Sequence, residues 1–382
     1  MRDYDIIVYG ATGFTGRLVA EYLVRQGVTR WAMAGRSRAK LEEVRDLIGA
    51  HADTPLVVAD ADDPASLTAM AQSTRVVLTT VGPYQLYGAP LVAACVAAGT
   101  AYVDLCGEPA WMRHMIDAHH AAAQASGARI VFSCGFDSIP FDLGVLTLQE
   151  CAIAKYGHPA PRVKGRVRAM QGGFSGGTAA SLKATLAAAA RDPSLLGLLA
   201  SPFALTPGFS GPHQPTGLLP EFDATLNTWV APFIMAAINT KNVHRTNFLL
   251  GHRYGSDFVY DEMMVAGLGD MGKAAAEAIA RINPFAGDKG PKPGEGPSQE
   301  ERDNGHYDLL FVGLMPDGAR FDAVVTGDRD PGYGSTSKMI AETARCLLET
   351  EGAGGVWTPG ALLGTTLRDR LQDKAGLTFT AG

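Results

Sequence analysis

Apolar and polar positions in the first third of the chain alternate between short β-rich runs and stretches of helical period. Asp5–Tyr9 (DIIVY) is the first apolar run, and Gly13–Arg25 follows with helical spacing. Trp31–Ala34 predicts a second strand, Lys40–Ile48 a helix, Leu56–Ala59 a third strand closing at Asp60, and Asp63-Pro64 the start of another helix. Val76–Thr80, Tyr102–Leu105 and Ile130–Ser133 continue as strands, separated by helices at Pro90–Ala98 and Trp111–Ser126. Strands alternating with helices at this spacing predict an α/β fold that opens with a Rossmann-type, doubly wound parallel sheet.

Beyond about residue 145 the rhythm changes. Val163–Met170 reads as a strand carrying Lys164, Arg166 and Arg168, followed by the glycine-rich QGGFSGGTAAS and an alanine-rich helix to Arg191. A helix is expected at Trp229–Ile238, an exposed loop at 283–305, and paired strands at Tyr307–Gly313 and Arg320–Gly327 around the turn MPDG. A last helix, Ser337–Leu348, precedes an amphipathic tail. The expected organisation is a first domain over residues 1–145, a second α+β domain for substrate and dimerisation over 146–330, and a helical segment over 331–382 that packs back on the first.

Composition narrows the class. The chain has 382 residues, 46% of them hydrophobic and 19% charged, with net charge −6, so it carries no general attraction for nucleic acid. Five cysteines without a C-x-x-C argue against a disulfide framework, and the N-terminus shows no signal peptide, so a cytoplasmic location is expected. Val76–Val103 and Ser194–Pro220 lack Asp, Glu, Lys and Arg, yet glycines and prolines break both, which excludes a transmembrane span. The second stretch leaves open a peripheral contact with lipid.

The first strand runs into GATGFTG, whose Gly10, Gly13 and Gly16 form a G-x-x-G-x-x-G turn opening a helix. In that context glycines let the main chain approach a pyrophosphate, and the N–H groups around Thr12, Phe14 and Thr15 face the anion with the helix dipole behind them. After the second strand the chain reads AGRSRAK, with Arg36 and Ser37 where an acid would meet a free ribose hydroxyl. Cations and a hydroxyl there suit a 2′-phosphate, so the expected cofactor is NADPH/NADP. Asp60 is either a further contact near the adenine or a cap before Pro64.

Ligands in such sheets lie beyond the carboxyl ends of the strands, here TTVGPYQLYG, DLCGEPAW and SCGFDSIPFD. Val81, Gly82 and Pro83 form a turn that lets backbone pass close to the cofactor, Tyr84 is a candidate proton donor, and Asp137 a candidate substrate contact or cap. Cys106 and Cys134 have no histidine beside them and read as small buried fillers. His119-His120 reads as a solvated face; there is no Tyr-x-x-x-Lys pair, and nothing supports a metal.

GATGFTG with AGRS, VGPY, YVDLCGE, CGFDSIPFDLG, GGTAAS, PGEGPSQEER and DPGYGSTSKMIAETA resembles the saccharopine dehydrogenase-like oxidoreductases, in particular the branch of trans-acting enoyl reductases. The resemblance spans nearly the whole chain. It implies NADPH held through Gly10, Gly13, Gly16, Arg36 and Ser37, a substrate-bearing second domain, and a homodimer. The apolar runs LLGLLASPFALTPGF and WVAPFIMAAI suit a lipid-like substrate as well as a plain core or dimer interface. Reduction of an enoyl group conjugated to a carbonyl is therefore expected. A saccharopine-type imine or carbonyl reduction, with Arg166, Arg168, Lys183 and Lys241 lining a cationic pocket, and a non-catalytic NADP-binding sensor are the alternatives.

Overall fold

The computed structural model describes residues 2–172, 176–282 and 295–382. The expected loops at 171–181 and 283–305 lie partly outside these residues. Seven parallel strands form the first sheet: β1 (Tyr4–Tyr9), β2 (Trp31–Gly35), β3 (Leu56–Val58), β4 (Thr74–Thr79), β5 (Ala101–Val103), β6 (Arg129–Val131) and β13 (Gly355–Trp357), in the order β13-β6-β5-β4-β1-β2-β3. The order reverses between β1 and β4, where an open α/β sheet leaves a crevice. Successive residues of β1 face opposite layers, Ile6 and Val8 in one core cluster, Ile7 and Tyr9 in the other, so helices cover both faces.

The second sheet is mixed: β7 (Arg162–Gln171), β8 (Glu221–Asp223), β9 (Thr228–Pro232), β10 (Val259–Gly267), β11 (His306–Leu314), β12 (Arg320–Gly327) and β14 (Leu377–Ala381), in the order β14-β12-β11-β7-β10-β9-β8. Only β7 and β10 pair in parallel, and β11 and β12 form the expected hairpin. The fold is thus α/β, a doubly wound parallel sheet followed by a second, mixed sheet with its own helices.

Several expectations are corrected. Trp229–Ile238 is not one helix: Thr228–Pro232 is a strand antiparallel to β10, and the helix runs over Ala236–Leu249. A short strand apolar on both faces cannot be told from a helix by period alone. The fourth helix starts at Tyr84 rather than Pro90, carrying that proline inside it. The tail is more than helical, since β13 completes the first sheet and β14 the second. Its helix Thr336–Glu349 packs on helix Phe14–Arg25 and on β4, fastened where Tyr22 Oη donates to Glu342 Oε1 at 2.8 Å. His120 is half-buried, its Nδ1 accepting from Val356 N at 3.1 Å, so it anchors β13 rather than facing water. Among the described residues no helix is long and apolar enough to cross a membrane.

Candidate active site

β1 ends at Tyr9 and the chain turns through Gly10 at φ 91°. A Cβ on Gly16 would stand 2.1 Å from Gly10 O, so the helix can sit on the turn only without one. Gly13 is different. It is exposed and a Cβ there would meet only Gly10 O, at 3.3 Å, so the outer side of the turn is open. The helix that follows has neither a side-chain cap nor an acid in its first turn, leaving its N–H groups for an anion.

At the end of β2, Arg36 is exposed and makes no ion pair among the described residues. Its charge and that of Asp60 act in opposite senses on the phenol of Tyr9, the last residue of β1, which burial pushes up to about 12. Ser37 accepts from Lys40 N at 3.4 Å as a helix cap, and Asp60 Oδ1 accepts from Asp62 N at 3.1 Å. Asp60 therefore does the work of a local turn.

A cleft of about 380 Å³ opens at the carboxyl ends of β4, β5 and β6. The first half of the chain supplies Thr15, Gly82, Tyr84, Leu105, Cys106, Ser133, Phe136 and Asp137; the second half closes it with Ser181, Thr185, Leu199, Ile234, Met235, Ile238, Gly332 and Thr336. Val81 and Pro83 flank Gly82 on the same turn. Among the described lining residues Asp137 is the one carboxylic acid, and none is a lysine or arginine. Burial pushes the Asp137 carboxyl up to about 7. No hydrogen-bond donor among the described residues holds it in the charged form, so desolvation governs its proton.

Tyr84 is buried, and its hydroxyl is spent on the main chain. It accepts from Leu105 N at 3.0 Å and lies 3.4 Å from Thr79 O, while burial pushes its pKa well up. Beneath it, Glu108 Oε1 and Oε2 accept from Tyr84 N at 2.9 Å and Gln85 N at 2.8 Å, capping that helix from a distant loop. The Ser181 hydroxyl donates to the same carboxylate at 2.7 Å, and Gln85 Nε2 reaches Thr185 at 3.2 Å. Glu108 thus ties the start of the helix at Tyr84 to helix Gly176–Arg191 across the cleft. Cys106 and Cys134 are buried and burial pushes both thiols up, away from thiolate chemistry.

The candidate cations lie elsewhere. Arg166 is buried between Asp223 at 2.9 Å and Asp261 at 2.7 Å, and Arg168 pairs with Asp308 at 2.6 Å. Lys241 is buried with its Nζ on Ala237 O at 2.9 Å, and Lys183 is exposed. None faces the cleft.

Residues 6–131 match the saccharopine dehydrogenase NADP-binding domain. A Mycobacterium tuberculosis protein provisionally named a trans-acting enoyl reductase is 41% identical over 401 positions, covering 97% of this chain and 96% of that protein. A Mycobacterium leprae protein named trans-acting enoyl reductase is 38% identical over 405 positions, with the same coverage of 97% and 96%. The chain belongs to this family of saccharopine dehydrogenase-like oxidoreductases. In structure it is similar to the apo saccharopine dehydrogenase (L-Glu forming) of Saccharomyces cerevisiae, at TM-score 0.58 and 10% identity over 99% of this chain and 100% of that one. The amine dehydrogenase of Mycobacterium smegmatis is similar at TM-score 0.50 and 15% identity, covering 94% and 96%. Both likenesses concern the fold.

As a member of this family the chain is an NADP-dependent oxidoreductase, and its own residues fit the cofactor. Gly13 leaves the turn open, the first turn of the helix carries no acid, and the Arg36 guanidinium is unpaired among the described residues. The apolar runs that the sequence offered for a lipid-like substrate supply Leu199, Ile234, Met235 and Ile238 to the far wall, whereas Thr336 and the bridging role of Glu108 were not anticipated. For Glu108 a signal existed: an acid directly before Pro109, at the end of a buried strand and ahead of a helix.

Proposed function

We propose that this oxidoreductase reduces the C=C bond of an enoyl group conjugated to a carbonyl in a lipid-like substrate, with Asp137 as proton donor. The observation that carries the reading is the cleft lining, whose described residues offer one carboxylic acid, no cation and apolar walls from Leu105, Phe136, Leu199, Ile234, Met235 and Ile238. A dicarboxylate substrate, as in saccharopine chemistry, would call for arginines that are here committed to Asp223, Asp261 and Asp308.

NADPH, when bound, supplies the hydride that the β-carbon receives. The protein's part is to place and dry the substrate and to deliver a proton to the α-carbon. Asp137 is suited to the last task because a carboxyl with pKa about 7 is substantially protonated at neutral pH. Leu199, Ile234 and Met235 exclude water from the acyl side. Tyr84 acts as a wall, held by Leu105 N, with Glu108 fixing the helix start beneath it. The proposal includes a cytoplasmic location, in keeping with five free cysteines, and a homodimer, as the family resemblance implies.

The test is NADPH oxidation by the purified protein against medium- and long-chain enoyl thioesters, imines and ketones. Turnover on the enoyl thioesters, rising with chain length, is the expected result. Turnover confined to imines or ketones overturns the reading, and tight NADPH binding with no turnover on any of them favours the sensor.

A further inference from the structure

Phe14 follows the middle glycine of the turn and meets Tyr333 edge-on with ring centroids 4.8 Å apart. Two guanidiniums stand against the same ring, Arg17 at 5.4 Å and Arg302 at 5.6 Å. Arg17 belongs to the helix Phe14–Arg25, whereas Arg302 comes from Gln299–Asn304, far along the chain. Like charges gathered at one ring repel, and the positive end of the helix dipole adds to them with no acid in its first turn. Among the described residues neither arginine has an ion-pair partner. Asp330 feels the Arg302 charge, but its oxygens accept from Tyr333 N at 2.9 Å and Gly334 N at 2.7 Å.

Arg302 is also held in place. Its Nη1 donates to Pro297 O at 2.6 Å and its N to Ser298 O at 3.1 Å, while Ser298 and Glu301 close a capping box. Its carbonyl accepts from Asp330 N at 3.0 Å, which ties it to the turn Pro331–Ser335, from which Gly332 lines the cleft. Nε and Nη2 of Arg302, and the whole guanidinium of Arg17, have no hydrogen-bond acceptor among the described residues. Cation–π contact with Phe14 orients both groups without neutralising either.

We propose that Arg17 and Arg302 form a cationic clamp on the pyrophosphate of NADPH, the second reaching in from the C-terminal half of the chain, so that dinucleotide binding fastens residues 295–304 onto the glycine turn. The pyrophosphate is the group that a turn of this kind places at the helix start, whereas the 2′-phosphate belongs to Arg36 at the end of β2. The clamp rests on the nucleotide assignment and not on the choice of substrate, so a failure of the enoyl reading leaves it standing.

Calorimetric titration of Arg302→Ala and Arg17→Ala with NADP and with adenosine 2′-phosphate, which lacks the pyrophosphate, tests it. Each variant is expected to weaken NADP by about 10- to 100-fold, as loss of a charge-assisted contact does, and to leave adenosine 2′-phosphate within about twofold. Arg302→Lys is expected to retain part of the affinity as a point charge. Unchanged NADP affinity in both alanine variants, or equal weakening of the two ligands, overturns the clamp. In the unsubstituted protein, amide exchange over residues 295–304 should slow on adding NADP. Exchange there that is indifferent to NADP refutes the fastening even if a variant does not fold.

Discussion

Replacing Asp137 by asparagine removes the proposed proton donor and keeps its shape. With a native pKa of about 7, the acid fraction falls from about 0.9 at pH 6 to about 0.1 at pH 8, so a step limited by its proton slows about tenfold across that window. Stability moves in the same sense. The ordinary pKa is 3.8 and the folded value is raised to about 7, so the native state binds the extra proton and loses stability as pH climbs from about 4 to about 7. Integrated between pH 6 and 8, the loss is about 1.4 kcal/mol, or about 2 °C in Tm for a chain of this size. Single-turnover reduction across pH 6–8, with Tm measured in parallel, reads both quantities. Asp137→Asn should lower the chemical step by about 10²- to 10⁴-fold, flatten the remaining pH dependence and reduce the pH-dependent loss of Tm. A variant that keeps both the rate and the pH limb removes Asp137 from the reaction and refutes the reasoning.

Two further outcomes follow from single contacts. Arg36→Gln should weaken NADPH by about 10- to 100-fold while sparing NADH, read by fluorescence titration; equal losses for both nucleotides would move Arg36 away from the 2′-phosphate. Tyr84→Phe removes the acceptor of Leu105 N, so it should cost about 1–3 kcal/mol of stability in denaturant unfolding and leave the single-turnover rate and its pH profile unchanged; a fall in that rate as large as the one expected for Asp137→Asn would instead return Tyr84 to the role of donor.

The glycine turn and the alternation of strands and helices over the first 133 residues were legible because both are local. Gly10 and Gly13 lie between the apolar strand β1 and the helix that Gly16 lets settle on the turn, and AGRS follows at the end of β2. The continuation of the far-wall helix beyond Ile238 was hidden for a physical reason. Helix Ala236–Leu249 reads AAINTKNVHRTNFL, which looks like surface, yet Asn239, Lys241, Asn242, His244 and Arg245 are all buried. What tolerates them is tertiary: Arg245 donates to Leu205 O and Val356 O at 2.6 Å each, and Asn239 donates to Glu262 at 2.9 Å, partners distant in sequence. The cationic-pocket alternative failed similarly, since alternation along β7 shows three basic residues but not the acids of β8, β10 and β11 that neutralise Arg166 and Arg168.

The most direct measurement is the position of label in the product of an enoyl thioester reduced once in deuterated water, compared with reduction by NADPH deuterated at the transferable position in ordinary water. The account predicts one solvent deuterium at the α-carbon and one cofactor deuterium at the β-carbon, with the carbonyl intact. Cofactor deuterium at a carbonyl carbon, or no transfer to any enoyl substrate, would contradict it.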